Sequence, residues 1–426
     1  MSHYKSYPAY RESGVEWTGN VPKHWRVMPF KRVASIRNGQ DYKDVESADG
    51  AYPVIGSGGE FARASSFMFD GESVLLGRKG TIDKPLYING PFWAVDTMFY
   101  TRIADNAFPK FVYYSALNIP FGLYSTNTAL PSMTGEVLSS HIIAAPEFAE
   151  QQAIANSLDR ETIRIDALIT KKTRFIELLK EKRQALITHA VTKGLDPNVK
   201  MKDSGVEWIG DIPVHWLVAQ LGKISIARCD GPFGSGLKSE HYQPDGVRVI
   251  RLQNIGWASF KDGNEAFISH EHWQDVLGGV HEVLPNDVLI GGLGDDKNPL
   301  GRACVAPANL GPAMVKADCY RFRLNKSRAV PEFIALALSA TARSECGYLA
   351  TGATRDRLNL GLASARVVAL PPRNEQVEIV ASLNRDTARI DLLSEKTQRS
   401  IDLLKERRST LITAAVTGQI DLRESV

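Results

Sequence analysis

Cysteine is scarce: the 426-residue chain has four, Cys229, Cys304, Cys319 and Cys346, none of them in a C-x-x-C pair. That spacing excludes a zinc ribbon or a dithiol redox motif and suits ordinary reduced thiols. No stretch approaches the roughly 18 apolar residues of a membrane span. The opening MSHYKSYPAYRESGVEW is polar and lacks the apolar core of a secretory signal. A cytoplasmic location without membrane contact is expected. Excess charge of one sign is also missing: 51 Lys and Arg face 48 Asp and Glu, a formal net charge of +3. A chain neutralising a polyanion unaided would often be more basic, so any such contact must use local patches or shared surfaces. Reaction motifs are absent too. There is no H-E-x-x-H, no G-x-S-x-G, no carboxylate cluster with a nearby E-x-K, and GGLGDDKNP fails the P-loop pattern. The one Pro-Pro pair, in LPPRN (Leu370–Asn374), lacks the flanks of an adenine methyltransferase element. No catalytic residues, no metal ligands and no enzyme activity are expected.

What is present is a repeat. Arg11–Trp25, RESGVEWTGNVPKHW, matches Lys202–Trp216, KDSGVEWIGDIPVHW, at 9 of 15 positions and an offset of 191. Glu150–Asp196 matches Glu375–Asp421 at 26 of 47 positions and an offset of 225. The order is short motif, variable block, long periodic segment, then the same again. The offsets differ by 225 − 191 = 34, so the second block is 34 residues longer. A kept frame around changed contents suggests one scaffold carrying two different readers. His24 and His215 fall in the frame with no nucleophile beside them, and are read as structural.

The long segments are read as helices. Ile154, Leu158, Ile165, Leu168, Phe175, Leu179 and Leu186 follow the spacing of a coiled-coil seam, as do Ile379, Leu383, Ile390, Leu393, Leu404, Leu411 and Ala414. Pro146 and Pro371–Pro372 stand at the starts, Gly194 and Gly418 near the ends. A lone helix cannot bury such a seam, but the two copies can bury theirs against each other. Their outer faces (KKTR, LKEKRQ, LKERRS) are charged, which argues against two core helices of one globule. The expectation is an α+β chain: two mixed α/β domains separated by a long antiparallel two-helix coiled coil, with a pseudo-two-fold internal repeat. Its parts are an N-terminal segment 1–25, a first domain 26–146, a central helix 147–194, a linker 195–216 repeating the N-terminal segment, a second domain 217–371, and a C-terminal helix 372–426.

The variable blocks resemble each other weakly. SVLLGRKGTID (Ser73–Asp83) and DVLIGGLGDDK (Asp287–Lys297) both end a strand in glycine turns, Gly77 and Gly80 matching Gly291 and Gly294. Those turns either offer backbone N–H groups to a phosphate or are ordinary tight turns. Asp96 aligns with Asp318. Loops rich in Ser, Thr, Asn, Gln, Lys and Arg can contact phosphates and base edges. Candidate DNA contacts are Tyr42, Lys43, Arg63, Arg78, Lys79, Asn127 and Ser132 in the first block. In the second they are Ser235, Lys238, Arg248, Arg251, Gln253, Asn254, Arg355 and Arg357. Gln253, Asn254, Arg355 and Arg357 are expected as base readers, and Lys238, Arg248 and Arg251 as phosphate contacts.

SGVEWIGDIPVHW, a variable block opening GPFGSGLK, then LPPRNEQ and a helix ending LITAAVTG together resemble the specificity subunits of type I restriction–modification enzymes, over nearly the whole chain. The resemblance implies that each block is a target-recognition domain reading half of a bipartite, asymmetric double-stranded DNA site. It implies that the helices set the unread spacer and dock two methyltransferase (modification) subunits, joined by restriction/translocase subunits. S-adenosylmethionine, ATP and Mg²⁺ would belong to those partners, with no cofactor in this chain. The alternative is a stand-alone two-headed DNA-binding regulator without enzyme partners.

Overall fold

The computed structural model describes residues 4–125, 131–233, 236–349 and 357–423. Among them are seven α-helices: α1 (Pro109–Leu117), α2 (Phe121–Tyr124), α3 (Gly135–Ser140), α4 (Phe148–Lys193), α5 (Pro331–Leu349), α6 (Leu360–Ala365) and α7 (Arg373–Val416). The chain divides into two compact units, residues 1–174 with 397–426, and residues 175–396.

In the first unit, strands Ala34–Asn38, Met98–Ile103, Ser73–Gly77 and Leu86–Ile88 form a four-stranded antiparallel sheet in that order. All five residues of Ser73–Gly77 are buried. Such a strand reads as a continuous apolar run because both of its faces are covered. Val74 and Leu76 join the core with Phe99 and Val112, whereas Leu75 joins Val54, Phe92 and Tyr100. A second sheet runs Gly59–Ala64, Tyr52–Gly56, Pro91–Ala94, Phe69–Asp70, its central pair parallel. Arg26–Pro29 pairs antiparallel with Ile142–Ala145, so the block's two ends meet.

The second unit repeats this plan from a different sequence. Ser225–Cys229, Cys319–Leu324, Val288–Gly291 and Ala303–Val305 make the matching antiparallel sheet. Val247–Ile250 and Ala313–Val315 are the parallel pair of a five-stranded one. Leu217–Gln220 against Val367–Leu370 closes the block.

Each block is fastened to the helices by the same clasp. In the first unit Trp25 is buried, its Nε1 donates to Glu150 Oε1 at 3.0 Å, and His24 Nε2 lies 2.9 Å from Glu150 Oε2. Gln151, also buried, accepts from Phe108 N at 2.9 Å and donates to Pro146 O at 2.9 Å. The second unit has Trp216 and His215 on Glu375 at 3.0 and 2.8 Å, and Gln376 accepting from Val330 N and donating to Pro371 O at 2.8 and 2.9 Å. His24 and His215 are therefore structural. The far helix ends complete the clasps. Gly418 (φ +74°) lies so close to Pro22 that a Cβ would sit 2.3 Å from its Cδ, and Gly194 (φ +80°) lies against Trp216 and Glu375. Both are left-handed helix-terminating glycines, as the sequence suggests. In each unit the end of one long helix thus adjoins the start of the other. The pairing is antiparallel, carried on by Asp166–Arg408 (2.9 Å) in the first unit and Arg183–Asp391 (3.1 Å) in the second. The repeat equates these two ion pairs, at the offset of 225.

The seam itself needs a correction. Ile154, Leu158, Ile165, Leu179, Ile379, Leu383, Ile390, Leu411 and Ala414 are buried, and Leu186 and Leu404 partly so. Leu168, Phe175 and Leu393 are exposed at 41%, 45% and 41%. Every second inward position falls one residue later than expected. In the first unit the inward set includes Thr162, Ile169, Ile401, Arg408 and Ala415; in the second it includes Ile176, Arg183, Ala190, Thr387 and Ser394. The cause is chemical. Thr162, Thr387 and Ser394 enter the seam by donating their hydroxyls to the carbonyls of Leu158, Leu383 and Ile390 at 2.7, 2.7 and 3.0 Å. Arg183 and Arg408 enter by pairing with aspartates. A count of apolar residues passes over all of them.

Candidate nucleic-acid interface

In both units four segments converge at one end of the antiparallel sheet. In the second, Gly231 is pressed onto the backbone, where a Cβ would lie 2.1 Å from the Lys316 carbonyl carbon. Gly292 N donates to Asp318 O at 2.7 Å, Leu358 N donates to Gly292 O at 3.0 Å, and Leu293 bridges to Arg357. In the first, a Cβ on Gly39 would lie 2.0 Å from Val95 O. Arg78 N and Lys79 N donate to Thr97 O at 2.8 and 3.2 Å, Gly80 N donates to Pro131 O at 3.0 Å, and Lys79 bridges to Ser132. These three amides are consumed within the domain. The glycine turn is thus an ordinary tight turn, not an open cradle of N–H groups for phosphate.

The turns set side chains side by side. Arg78, Lys79 and Ser132 share the end of the first domain, Arg78 standing 5.9 Å over the Phe99 ring with Nη1 3.4 Å from Asp96 O. Tyr42 meets the exposed Phe61 edge-on at 5.3 Å. In the second domain, Arg357 Nε donates to Asp318 Oδ1 at 2.8 Å and its guanidinium lies 5.2 Å over Phe233. Beside them a cavity of about 390 Å³ is lined by Gln253, Lys261, Leu293, Asp295, Asn298 and Arg302, among others. Buried Arg302 donates to Ile255 O, Leu293 O and Leu252 O at 2.6, 2.8 and 2.9 Å, and so fixes the Gln253 turn to the glycine turn.

Other candidates lie elsewhere or are already engaged. Arg248 is 6% exposed and holds Asp262 at 2.7 Å and the Asp262 carbonyl at 2.7 Å. A phosphate contact there would require drawing a buried guanidinium away from the partners it already holds. Asn254 is 1% exposed, accepts from Arg251 N and donates to Lys261 O and Gly263 O. It closes its own turn and has no spare donor for a base. Arg251 reaches Asn264 O at 2.5 Å. Arg63 pairs with Glu60 at 3.0 Å, and Lys238 stands 3.6 Å from Glu240. Lys43 is exposed at the start of the short 3-10 helix Lys43–Val45, which follows Tyr42. Asn127, Ser235 and Arg355 lie outside the described residues.

Sequence reasoning missed Phe233, Lys261, Asn298, Arg302 and Asp318 as parts of this end. An exposed aromatic within the glycine-rich DGPFGSG was the available signal for Phe233. No sequence signal marks Arg302, whose role comes from three carbonyls distant along the chain. Burial pushes the Cys304 thiol up to about 12 and Cys319 further, so neither is a thiolate near neutral pH. Among the described residues no group of three or more His, Cys, Asp or Glu could hold a metal ion, and no helix is long and apolar enough to cross a membrane.

Comparison with known proteins agrees with this architecture. Residues 22–178 match the type I restriction modification DNA specificity domain. The EcoBI specificity subunit of Escherichia coli is 22% identical over 96% of this chain and 89% of its own length. The StySPI specificity subunit of Salmonella potsdam is 22% identical over 94% and 90%. A chain solved in a study of complex assembly and conformational transition of the type I R-M system shares the fold, with a TM-score of 0.71 at 14% identity over 95% of this chain and 99% of that one. Residues 22–178 thus match that domain, and over nearly its whole length the chain is similar to the specificity subunits of type I restriction–modification enzymes.

Proposed function

We propose that the chain is the non-catalytic, sequence-reading subunit of a cytoplasmic type I complex, each domain reading one half of a bipartite, asymmetric site in duplex DNA. The paired helices set the unread spacer and dock two methyltransferase subunits, to which restriction/translocase subunits add. S-adenosylmethionine, ATP and Mg²⁺ would belong to those partners, with no cofactor in this chain. The observation that carries this reading is one clasp used twice to hold two domains of like topology, whose converging loops present different side chains. The modest charge fits a shared grip. Counterion release on phosphate neutralisation drives sequence-independent affinity, and methyltransferase subunits wrapped on the duplex would supply much of it. The reading chain then supplies mainly base contacts, each good bidentate one discriminating by about 1–3 kcal/mol.

Purification of the tagged chain from its host, with single-molecule mapping of methylated adenines in that genome, tests the reading. A stable complex with an adenine methyltransferase and a bipartite methylated motif that disappears on deletion of this chain are expected. Specific DNA binding by a chain that co-purifies with no methyltransferase would favour the stand-alone regulator instead.

A further inference from the structure

We propose that Arg357 reads a guanine in the half-site met by the second domain, held in reading position by Asp318 and Phe233. The inference rests on the sequence-reading role above. A long arginine discriminates between bases only if its guanidinium is aimed before the DNA arrives. Here Nε donates to Asp318 Oδ1 at 2.8 Å and one face of the guanidinium lies 5.2 Å from the Phe233 ring centre. Those contacts fix both the direction and the plane of the group. Among the described residues Nη1 and Nη2 make no hydrogen bond, and the side chain is 48% exposed whereas that of Asp318 is 17% exposed. Among the described residues the remaining edge is thus a two-donor fork on a half-exposed side chain. Such a fork matches the O6 and N7 acceptors that guanine alone presents together in the major groove.

The aspartate decides between a base and a phosphate. A carboxylate beside the guanidinium cancels most of its net charge and repels a phosphate, yet leaves the Nη donors aligned for neutral acceptors. A simple phosphate contact gains nothing from such a neighbour. Asp318 is itself firmly placed: its backbone is left-handed at φ +62°, a region Asp tolerates better than most residues, and its carbonyl accepts from Gly292 N at 2.7 Å. The first domain places an arginine at the corresponding turn from another loop, Arg78 beside Asp96. One anchor position served from two loops would aim two arginines differently, as two unlike half-sites require.

The test maps methylated sites made by the intact complex carrying Arg357→Gln, Arg357→Lys or Asp318→Asn, with unfolding midpoints recorded. The wild-type motif should contain a G·C pair preferred roughly ten- to a hundredfold at one position of one half-site. Arg357→Gln should level that position alone. Asp318→Asn should weaken the same preference and still favour guanine. If Arg357→Gln unfolds, Arg357→Lys, which keeps the charge and loses the fork, is expected to relax the same position. An unchanged motif, or an even loss across all sites with the motif intact, overturns the inference but not the reading role. Absence of any bipartite motif from the wild-type complex overturns the reading role itself.

Discussion

The carboxylates of Glu150 and Glu375 each accept from an imidazole and a buried indole, and both sets of contacts follow from repeated letters. At the next related position the units part. His141 and Arg366 correspond at the offset of 225. Arg366 is fully buried and paired with buried Glu345 at 2.8 Å, with further donation to the carbonyls of Leu338 and Gly301. His141 is stacked on Trp17 at 5.3 Å and lies 2.9 Å from Tyr124 Oη, and burial holds its imidazole down at about 4. An imidazole kept neutral in the fold charges only on unfolding. Its contribution is complete above the ordinary pKa of about 6.5 and is lost as pH falls from there toward 4, by at most about 3 kcal/mol. The unfolding midpoint of the wild type should therefore drop more steeply between pH 6.5 and 4 than that of His141→Asn; equal slopes would contradict this. At this scale the sequence shows residue type and not direction. Arg248 and Asn254 have the chemistry of DNA readers, but their donors turn inward to Asp262 and to the carbonyls of Lys261 and Gly263.

Helices were the most legible elements. Their starts after Pro146 and Pro372, and their ends before Gly194 and Gly418, agree with α4 and α7, because proline and glycine act locally on the backbone. Half of the heptad was legible too. The other half carries Thr162, Thr387 and Ser394, whose hydroxyls are satisfied on their own helix, and Arg183 and Arg408, which pair with aspartates of the other helix. Truncation separates the two phases. Ile165→Ala, at a buried position, should cost about 2–4 kcal/mol, and Leu168→Ala, at an exposed one, less than about 1 kcal/mol. Denaturant unfolding of the two variants decides, and a larger loss at Leu168 would favour the phase that apolar spacing alone suggests. The sheets were harder to read. Weakly matching strings such as SVLLGRKG and DVLIGGLG mark equivalent strands, but their order comes from pairing between segments far apart in sequence, for instance Ser73–Gly77 with Met98–Ile103.

For the whole molecule, the two offsets of 191 and 225 announce the organisation, since a repeated frame is visible in letters alone. Under the proposed reading the bases recognised would depend on loops held together by contacts such as Gly231 on Lys316 and Gly39 on Val95, which the letters alone do not reveal. The measurement that bears most directly on two independent readers in one frame is exchange of residues 26–146 for the equivalent block of a relative, followed by mapping of methylated adenines. One half of the bipartite motif should change to that of the donor, while the other half and the spacer stay as they were. Change in both halves, or in neither, would contradict it.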